Sequence, residues 1–372
     1  MFKKRILVIG SSMGIGGVEK ALLGLVNSYN YNLNEVDLML TNPEGEFMEY
    51  INPEVNLIKA PSFFSWILLP KDRVISSVFK LLIKPRMLYF FIKNVFWGVV
   101  HHSMAQGRQR MWNDVISFLP KFEGNYDEVL DFTGRYRQYV LEKVSAEKKC
   151  TWVHSDYRVF DLDASLDEKL LRRFDEINCV STTCKKIFDD LFPHLSTKSF
   201  VRLNIIDINF IKSHLTGPGF KDGFTGVRLL DITRIDPNKG LDIAVQVCQK
   251  LKQKNLNFRW YILGNDPLGY KDKLEQLIRE YGVEDCFILE GFTKNPYPYI
   301  NEADIIVHFS RFEGRSVSID EALALNKTIM LTNYPTAKDQ ITHGVNGYIC
   351  DFDVENLTQM LFRLMSNVND KN

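Results

Sequence analysis

The 372-residue chain has no excess of charge of either sign: 46 lysines and arginines stand against 46 aspartates and glutamates. That balance argues against a globally basic nucleic-acid binder and leaves room only for a local basic patch. Metal-type cysteine spacing is also missing. The six cysteines, Cys150, Cys179, Cys184, Cys248, Cys286 and Cys350, form no CxxC pair and share no ligand spacing with histidine. Most sit in apolar runs, so they read as reduced structural thiols of a cytosolic protein. No uninterrupted apolar run reaches the roughly 18 residues a membrane-spanning helix needs, and no span is predicted. The basic start MFKKRILVIGSSMG has only Ile6–Ile9 as its apolar stretch, too short for the core of a signal peptide. It reads instead as a buried first strand.

What is present is a soluble globular composition, 45% hydrophobic and 25% charged. The chain is too long for one ordinary core, and two domains follow. Short apolar runs alternate with segments of helical period. Strands are predicted at Arg5–Ile9, Val36–Leu40, Glu128–Phe132, Cys150–His154 and Ile177–Ser181, with a helix at Gly17–Tyr29. A second series begins near Val227: strands Val227–Thr233, Phe258–Leu263, Cys286–Glu290, Ala303–Phe309 and Thr328–Leu331, with helices Gly240–Lys252, Lys271–Tyr281 and Ser316–Leu325. The glycine-rich stretch Lys212–Gly226 reads as linker. The organisation predicted is therefore an N-terminal doubly wound domain over 1–205, a linker over 206–225 and a C-terminal one over 226–372. A cleft between such halves is the expected active site, because open α/β sheets bind ligands at the carboxyl ends of their strands.

The insert at 62–112 has a different composition. Its aromatic and aliphatic residues include Phe63, Phe64, Trp66, Phe79, Leu81, Leu82, Phe90, Phe91, Phe96 and Trp97. Lys71, Arg73, Lys80, Lys84, Arg86, Lys93, Arg108 and Arg110 stand there against the single acid Asp72. Apolar residues interspersed with cations suit a helix lying on an anionic membrane surface, the alternative being a helical insert with solvated charges.

Four segments carry candidate chemistry. Gly10–Lys20 (GSSMGIGGVEK) follows the first strand and opens a helix, so Gly16 and Gly17 allow a phosphate or acceptor close to the backbone. Its spacing misses the usual register of the dinucleotide fingerprint. Thr233–Gly240 places Arg234 and Lys239 five residues apart at a strand's carboxyl end, where both cations can converge on a diphosphate. Ser310–Ala324 carries Glu313 in a strand-to-helix loop and Glu321 in the second helical turn. The backbone N–H groups of Arg315 to Ser318 are expected unpaired there and open to phosphate. Thr151–Tyr157 ends an N-terminal strand with His154.

These residues resemble the family-four retaining glycosyltransferases. Glu313 and Glu321 match the E-x7-E motif, Arg234 and Lys239 fall in register with the G-R-L-x-x-x-K-G segment, and His343–Tyr348 resembles H-G-x-N-G-x. Gly16–Lys20 resembles G-G-x-E-[RK], and Trp152–His154 the family's W-x-H. The resemblance spans nearly the whole chain and implies the GT-B fold, two Rossmann-like doubly wound domains facing across a cleft. It implies that Arg234 and Lys239 neutralise the donor diphosphate, Glu313 holds hydroxyls of the transferred sugar and Glu321 the ribose. Gly314, Arg315, Ser316 and Val317 would touch sugar and phosphate, Phe292 the base, and His154 the sugar near its anomeric carbon. No cofactor or metal is implied beyond the nucleotide-diphosphate sugar, with UDP the expected nucleotide.

Together with the basic aromatic insert, the resemblance points to transfer of a hexose or N-acetylhexosamine to a lipid-linked or polysaccharide acceptor in bacterial capsule or envelope synthesis. The enzyme would be cytoplasmic and peripheral on the inner face of the plasma membrane. The sequence departs from the family pattern at Arg315–Ser316 and at Thr332–Thr336, where donor choice stays open. Two alternatives also stay open: a non-catalytic GT-B subunit assisting another transferase, and a nucleotide-sugar epimerase.

Overall fold

The computed structural model describes residues 3–64 and 85–369. The chain divides into two compact units, Met1–Ile205 and Ile206–Asn372. The first is built on seven strands: β1 (Lys4–Gly10), β2 (Asn34–Leu40), β3 (Asn56–Lys59), β4 (Asn125–Asp131), β5 (Ser145–Val153), β6 (Glu176–Cys179) and β7 (Ser199–Val201). They pair in parallel in the order β3-β2-β1-β4-β5-β6-β7. Ile6–Ile9 is a continuous apolar run because both faces of a parallel sheet are covered, and all four residues are buried.

The second unit has six strands: β8 (Val227–Ile232), β9 (Phe258–Leu263), β10 (Phe287–Gly291), β11 (Ile305–His308), β12 (Thr328–Thr332) and β13 (Tyr348–Cys350). Their order is β10-β9-β8-β11-β12-β13, again all parallel. The two-residue period of the strands divides the apolar side chains between two cores. Leu229, Trp260 and Ile305 enter one, and their neighbours Leu230, Tyr261 and Ile306 enter the other.

In each sheet the order reverses once, between β1 and β4 and between β8 and β11. The loops leaving the carboxyl ends of those strands splay apart, one to each side of the sheet, and leave a crevice there. Those two places hold the loops that carry Gly16, Gly17, Arg234, Lys239 and Glu313.

Three short strands, β3, β7 and β13, were not predicted, and the expected linker contains a helix at Ile208–Ser213, capped by Asp207 through the N–H of Phe210. In the insert, helices form at Pro85–Val100 and Met104–Val115. They pack closely at Gly107, where a Cβ would lie 2.7 Å from the carbonyl oxygen of Asn94. Phe63 and Phe64 are not interfacial: both are buried in the first core, with ring contacts from each to Tyr139. Trp66, Lys71, Asp72, Arg73, Phe79, Lys80, Leu81, Leu82 and Lys84 lie outside the described residues. All six cysteines are free thiols, five of them buried. Among the described residues no helix is long and apolar enough to cross a membrane.

Candidate functional site

The loop after β8 ends in a 3-10 turn, Pro237–Lys239, which Asp236 starts by accepting the N–H of Asn238 (2.8 Å). Gly240 closes it at φ 64°, where a Cβ would lie 2.0 Å from the carbonyl oxygen of Phe309. Only glycine fits that combination. The loop after β11 is bound to this turn by Arg311 N–H to the Asn238 carbonyl (2.7 Å). Thr332 donates to the Ser310 carbonyl (2.7 Å) and Thr336 to the carbonyl of Glu313 (2.8 Å). The segment Thr332–Thr336, which departs from the family pattern, thus helps to fix the backbone of the candidate glutamate.

Between these loops four charged side chains form a chain of alternating sign. Asp231 Oδ1 lies 3.0 Å from His308 Nδ1, and His308 Nε2 lies 2.8 Å from Glu313 Oε1. Lys239 Nζ donates to the same Oε1 at 2.5 Å. Side-chain exposure is 1% for Asp231, 3% for His308 and 13% for both Glu313 and Lys239. Two anions and two cations sum to zero, which makes their common burial tolerable. Burial alone would lower the His308 pKa, but the Asp231 and Glu313 carboxylates push it up to about 9. His308 is therefore an imidazolium at neutral pH, donating both N–H groups. Burial would raise Glu313, yet Lys239 and His308 hold it well below the usual carboxylate range. Burial pushes Asp231 upward against the pull of His308. Both donors converge on Oε1, so Oε2 is the oxygen of Glu313 left to accept from a ligand hydroxyl.

The structure brings Glu313 and Lys239 together but not Arg234. Arg234 is half-exposed and pairs with Asp236, Nη2 to Oδ2 3.3 Å. The helix Val317–Ala324 starts after Ser316, and here one expectation is corrected. The Ser316 N–H is not free: Gln340 Oε1 accepts it at 3.0 Å, and Gln340 Nε2 donates to the Ser316 carbonyl (2.8 Å) and to Asp320 Oδ1 (2.9 Å). Arg315 also turns inward, its fork on both oxygens of Asp320 at 2.7 and 2.8 Å. Glu321 is 3% exposed and accepts from the Tyr297 hydroxyl at 2.8 Å. Gly314 and Val317 are buried beside this helix start. Phe292 follows Gly291 (φ 87°) at the end of β10 and is 43% exposed, an open ring face.

In the N-terminal unit His154 follows β5, with Nε2 2.5 Å from the carbonyl oxygen of Phe132. A carbonyl can only accept, so Nε2 carries the hydrogen and Nδ1 the lone pair. Burial lowers its pKa to about 4, which keeps the ring neutral at physiological pH. Gly16 precedes the helix Gly17–Asn27 in extended backbone, and a Cβ there would meet the Glu19 carboxylate at 2.2 Å. Tyr136, which sequence reading missed, joins Ser11 (3.0 Å) and Thr41 (2.8 Å) beneath this loop.

Among the described residues no three His, Cys, Asp or Glu side chains gather as a metal site. A recess of about 450 Å³ near the ends of β12 and β13 is lined by Asn333, Lys338, His343 and Asp351 rather than by Glu313 or Lys239.

Two Rossmann-like units of seven and six parallel strands, with loops gathered at their switch points, define an α/β protein of the GT-B class. HepE of Anabaena, solved with UDP and glucose, superposes with a TM-score of 0.69 at 16% identity over 98% of this chain and 90% of that one. Residues 226–372 match the family model described as Glycosyl transferases group 1. The amylovoran biosynthesis glycosyltransferase AmsK of Erwinia amylovora is 30% identical over 147 residues, 37% of this chain and 36% of that one. A Campylobacter jejuni 4-alpha-N-acetylgalactosaminyltransferase acting on a diphospho-undecaprenol-linked sugar is 29% identical over 173 residues, 45% of each chain. The chain spans well under half the length of such curated relatives, 33 to 39% of three of them.

Proposed function

We propose that the chain is a retaining glycosyltransferase that moves a hexose or N-acetylhexosamine from a nucleotide-diphosphate sugar, with UDP the nucleotide, to a lipid-linked or glycan acceptor in envelope or capsule polysaccharide synthesis. The observation that carries this reading is the part-buried Glu313–Lys239 pair at the β8/β11 switch point. A carboxylate held ionised is a strong acceptor for sugar hydroxyls, and the adjacent ammonium is a point charge for a departing diphosphate. Lys239 transfers from Glu313 to the diphosphate when donor binds, and Arg234 adds a second cation by leaving Asp236. Glu321, steadied by Tyr297, takes ribose hydroxyls, and Phe292 stacks on the base. The relatives' named activities on polysaccharide and lipid-linked acceptors support the acceptor class. The neutral His154 contributes Nδ1 as an acceptor, and the reaction needs no metal.

The acceptor's lipid is reached from a membrane surface on the cytoplasmic side. Tyr89, Ile92, Phe96 and Val99 are 57 to 69% exposed along one face of the insert helix, and Arg86 and Lys93 border that stripe. Each such side chain inserted into lipid contributes roughly 1–2 kcal/mol, and Arg86 about 1 kcal/mol on anionic lipid, Lys93 being paired with Asp114 at 3.0 Å. Turnover is tested with UDP-, GDP-, ADP- and CMP-sugars in the presence of a polyprenyl-diphosphate-linked sugar. Arg234→Ala should lower turnover by about 10²-fold with the fold intact. Near-normal turnover in that variant rejects the assignment. The membrane face is tested by co-sedimentation with phosphatidylglycerol vesicles, where Ile92→Ser with Phe96→Ser should cut binding about tenfold or more. Equal sedimentation of both proteins rejects the surface.

A further inference from the structure

We propose that His308 is a positioning residue: it keeps the Glu313 carboxylate fixed and ionised at the moment Lys239 leaves it for the diphosphate. The inference rests on the glycosyl-transfer reading above and goes beyond it, because no part of that reading needs His308.

Glu313 Oε1 has two donors, Lys239 Nζ and His308 Nε2. A lysine at the end of a flexible stem can leave; the histidine cannot. His308 is the last residue of β11, with only 2% of its surface exposed, and its far nitrogen is tied to Asp231 on the neighbouring strand. When Lys239 swings away, a carboxylate without a second cation would turn toward whatever donor is near. The imidazolium prevents this and leaves Oε2 aimed at the sugar. Asp231 in turn holds the ring in one orientation and keeps it protonated, a carboxylate–imidazolium–carboxylate arrangement on one rigid sheet end. The groups facing the ring are Asp231 from β8, Glu313 and through it Lys239 from the two loops, and Tyr334, whose ring stands edge-on at 6.2 Å. Tyr334 stays neutral because burial raises its hydroxyl pKa far above the physiological range. His308 therefore changes charge on the alkaline side of neutrality.

The test measures kcat, KM and the UDP Kd of wild type, His308→Gln, His308→Leu and Asp231→Asn between pH 6 and 10. A misplaced sugar-holding group costs about 10²-fold, so His308→Leu should lose that much in kcat. Its UDP Kd should weaken by no more than several-fold, because UDP lacks the sugar that Glu313 holds and only the tighter Lys239–Glu313 pair opposes diphosphate binding. His308→Gln, which can still donate one hydrogen bond to Glu313, should recover about tenfold of the loss. Wild-type kcat should fall as pH rises through about 9, where His308 deprotonates. In Asp231→Asn that alkaline limb should move at least about one pH unit lower, since an anion within hydrogen-bond reach shifts a pKa by 1–3 units. An unmoved limb in Asp231→Asn, or wild-type kcat in His308→Leu, overturns the proposal. So does a parallel loss of UDP affinity and kcat in His308→Leu, which would mark a merely structural histidine. If wild type turns over none of the nucleotide sugars, the glycosyl-transfer reading fails and takes this proposal with it. Wild-type turnover with an unmoved limb rejects this proposal alone.

Discussion

Replacing Glu313 by glutamine separates the charge of the candidate site from its shape. The side chain keeps its size and one acceptor oxygen, yet the chain Asp231–His308–Glu313–Lys239 changes from net zero to net +1. Removing one partner from a buried pair costs about 3–5 kcal/mol when the other cannot escape. Lys239 is 13% exposed at its side chain and can turn its ammonium toward water, which discounts the cost to roughly 2–3 kcal/mol. For a unit of this size about 2–4 °C is lost per kcal/mol, so the melting temperature at pH 7.5 should fall by about 4–12 °C.

The sign with pH follows from His308. Its folded pKa is raised from 6.5 to about 9, so its contribution is fully present below pH 6.5 and is lost as pH rises through about 9. Part of that rise comes from Glu313. The gap between wild type and Glu313→Gln should therefore be widest near pH 6 and narrow toward pH 9.5. Function separates the two roles of the pair more sharply. Sugar transfer should fall by about 10²–10³-fold, the loss typical for one preorganised charged partner. The affinity for UDP should not fall and should rise up to several-fold, because Lys239 no longer has to be drawn off a carboxylate. Calorimetric melts across pH, UDP titration and initial rates test these points. A melting temperature within about 1 °C of wild type at pH 7.5, or UDP affinity falling together with turnover, would refute the reasoning.

Gln340→Ala leaves the Ser316 N–H without its acceptor beneath a helix start, while the Ser316 carbonyl keeps the Asp320 N–H, and should cost about 1–3 kcal/mol in urea unfolding. If the amide only occupies a phosphate position, inorganic phosphate at tens of millimolar should restore part of that loss, and an equal loss with and without phosphate rules this out. Tyr297→Phe removes one donor on Glu321 and should weaken binding of UDP and uridine alike by about 5- to 15-fold, with little change in kcat. A change in kcat with unchanged KM would contradict the assignment of Glu321 to the ribose.

How much of this was legible beforehand depended on whether a residue's partner lies near it in the chain. Continuous apolar runs such as Ile6–Ile9 and Ile305–Val307 mark parallel strands because both faces of such a sheet are covered, and helix-period segments between them fix the α/β alternation. β3, β7 and β13 escaped because strands of three or four half-exposed residues carry too short a pattern to read. Glu313 and Lys239 stood out as motif residues, but their ion pair joins positions 74 apart, and no local spacing announces it. The same holds for Gln340, which reaches Ser316 from 24 residues away and corrected the expectation of a free N–H at that one residue.

Asp231 and His308 are different, because a signal was present. Asp231 lies in β8, VRLLDI, whose other charged residue Arg228 sits near its start, and His308 ends the otherwise apolar IIVH of β11. A charged side chain inside a run that must be buried on both faces demands a partner of opposite sign, since an unpaired one would shift its pKa until it lost its charge. Two such interruptions of opposite sign, in strands that become neighbours at the switch point, are enough to pair them once the strand order is known. The order itself is the missing step: β8 and β11 are separated by β9 and β10 in sequence and adjacent only in the sheet. Buried charges in parallel strands therefore point to the switch-point strands of such a unit, and through them to the loops where Glu313 and Lys239 meet.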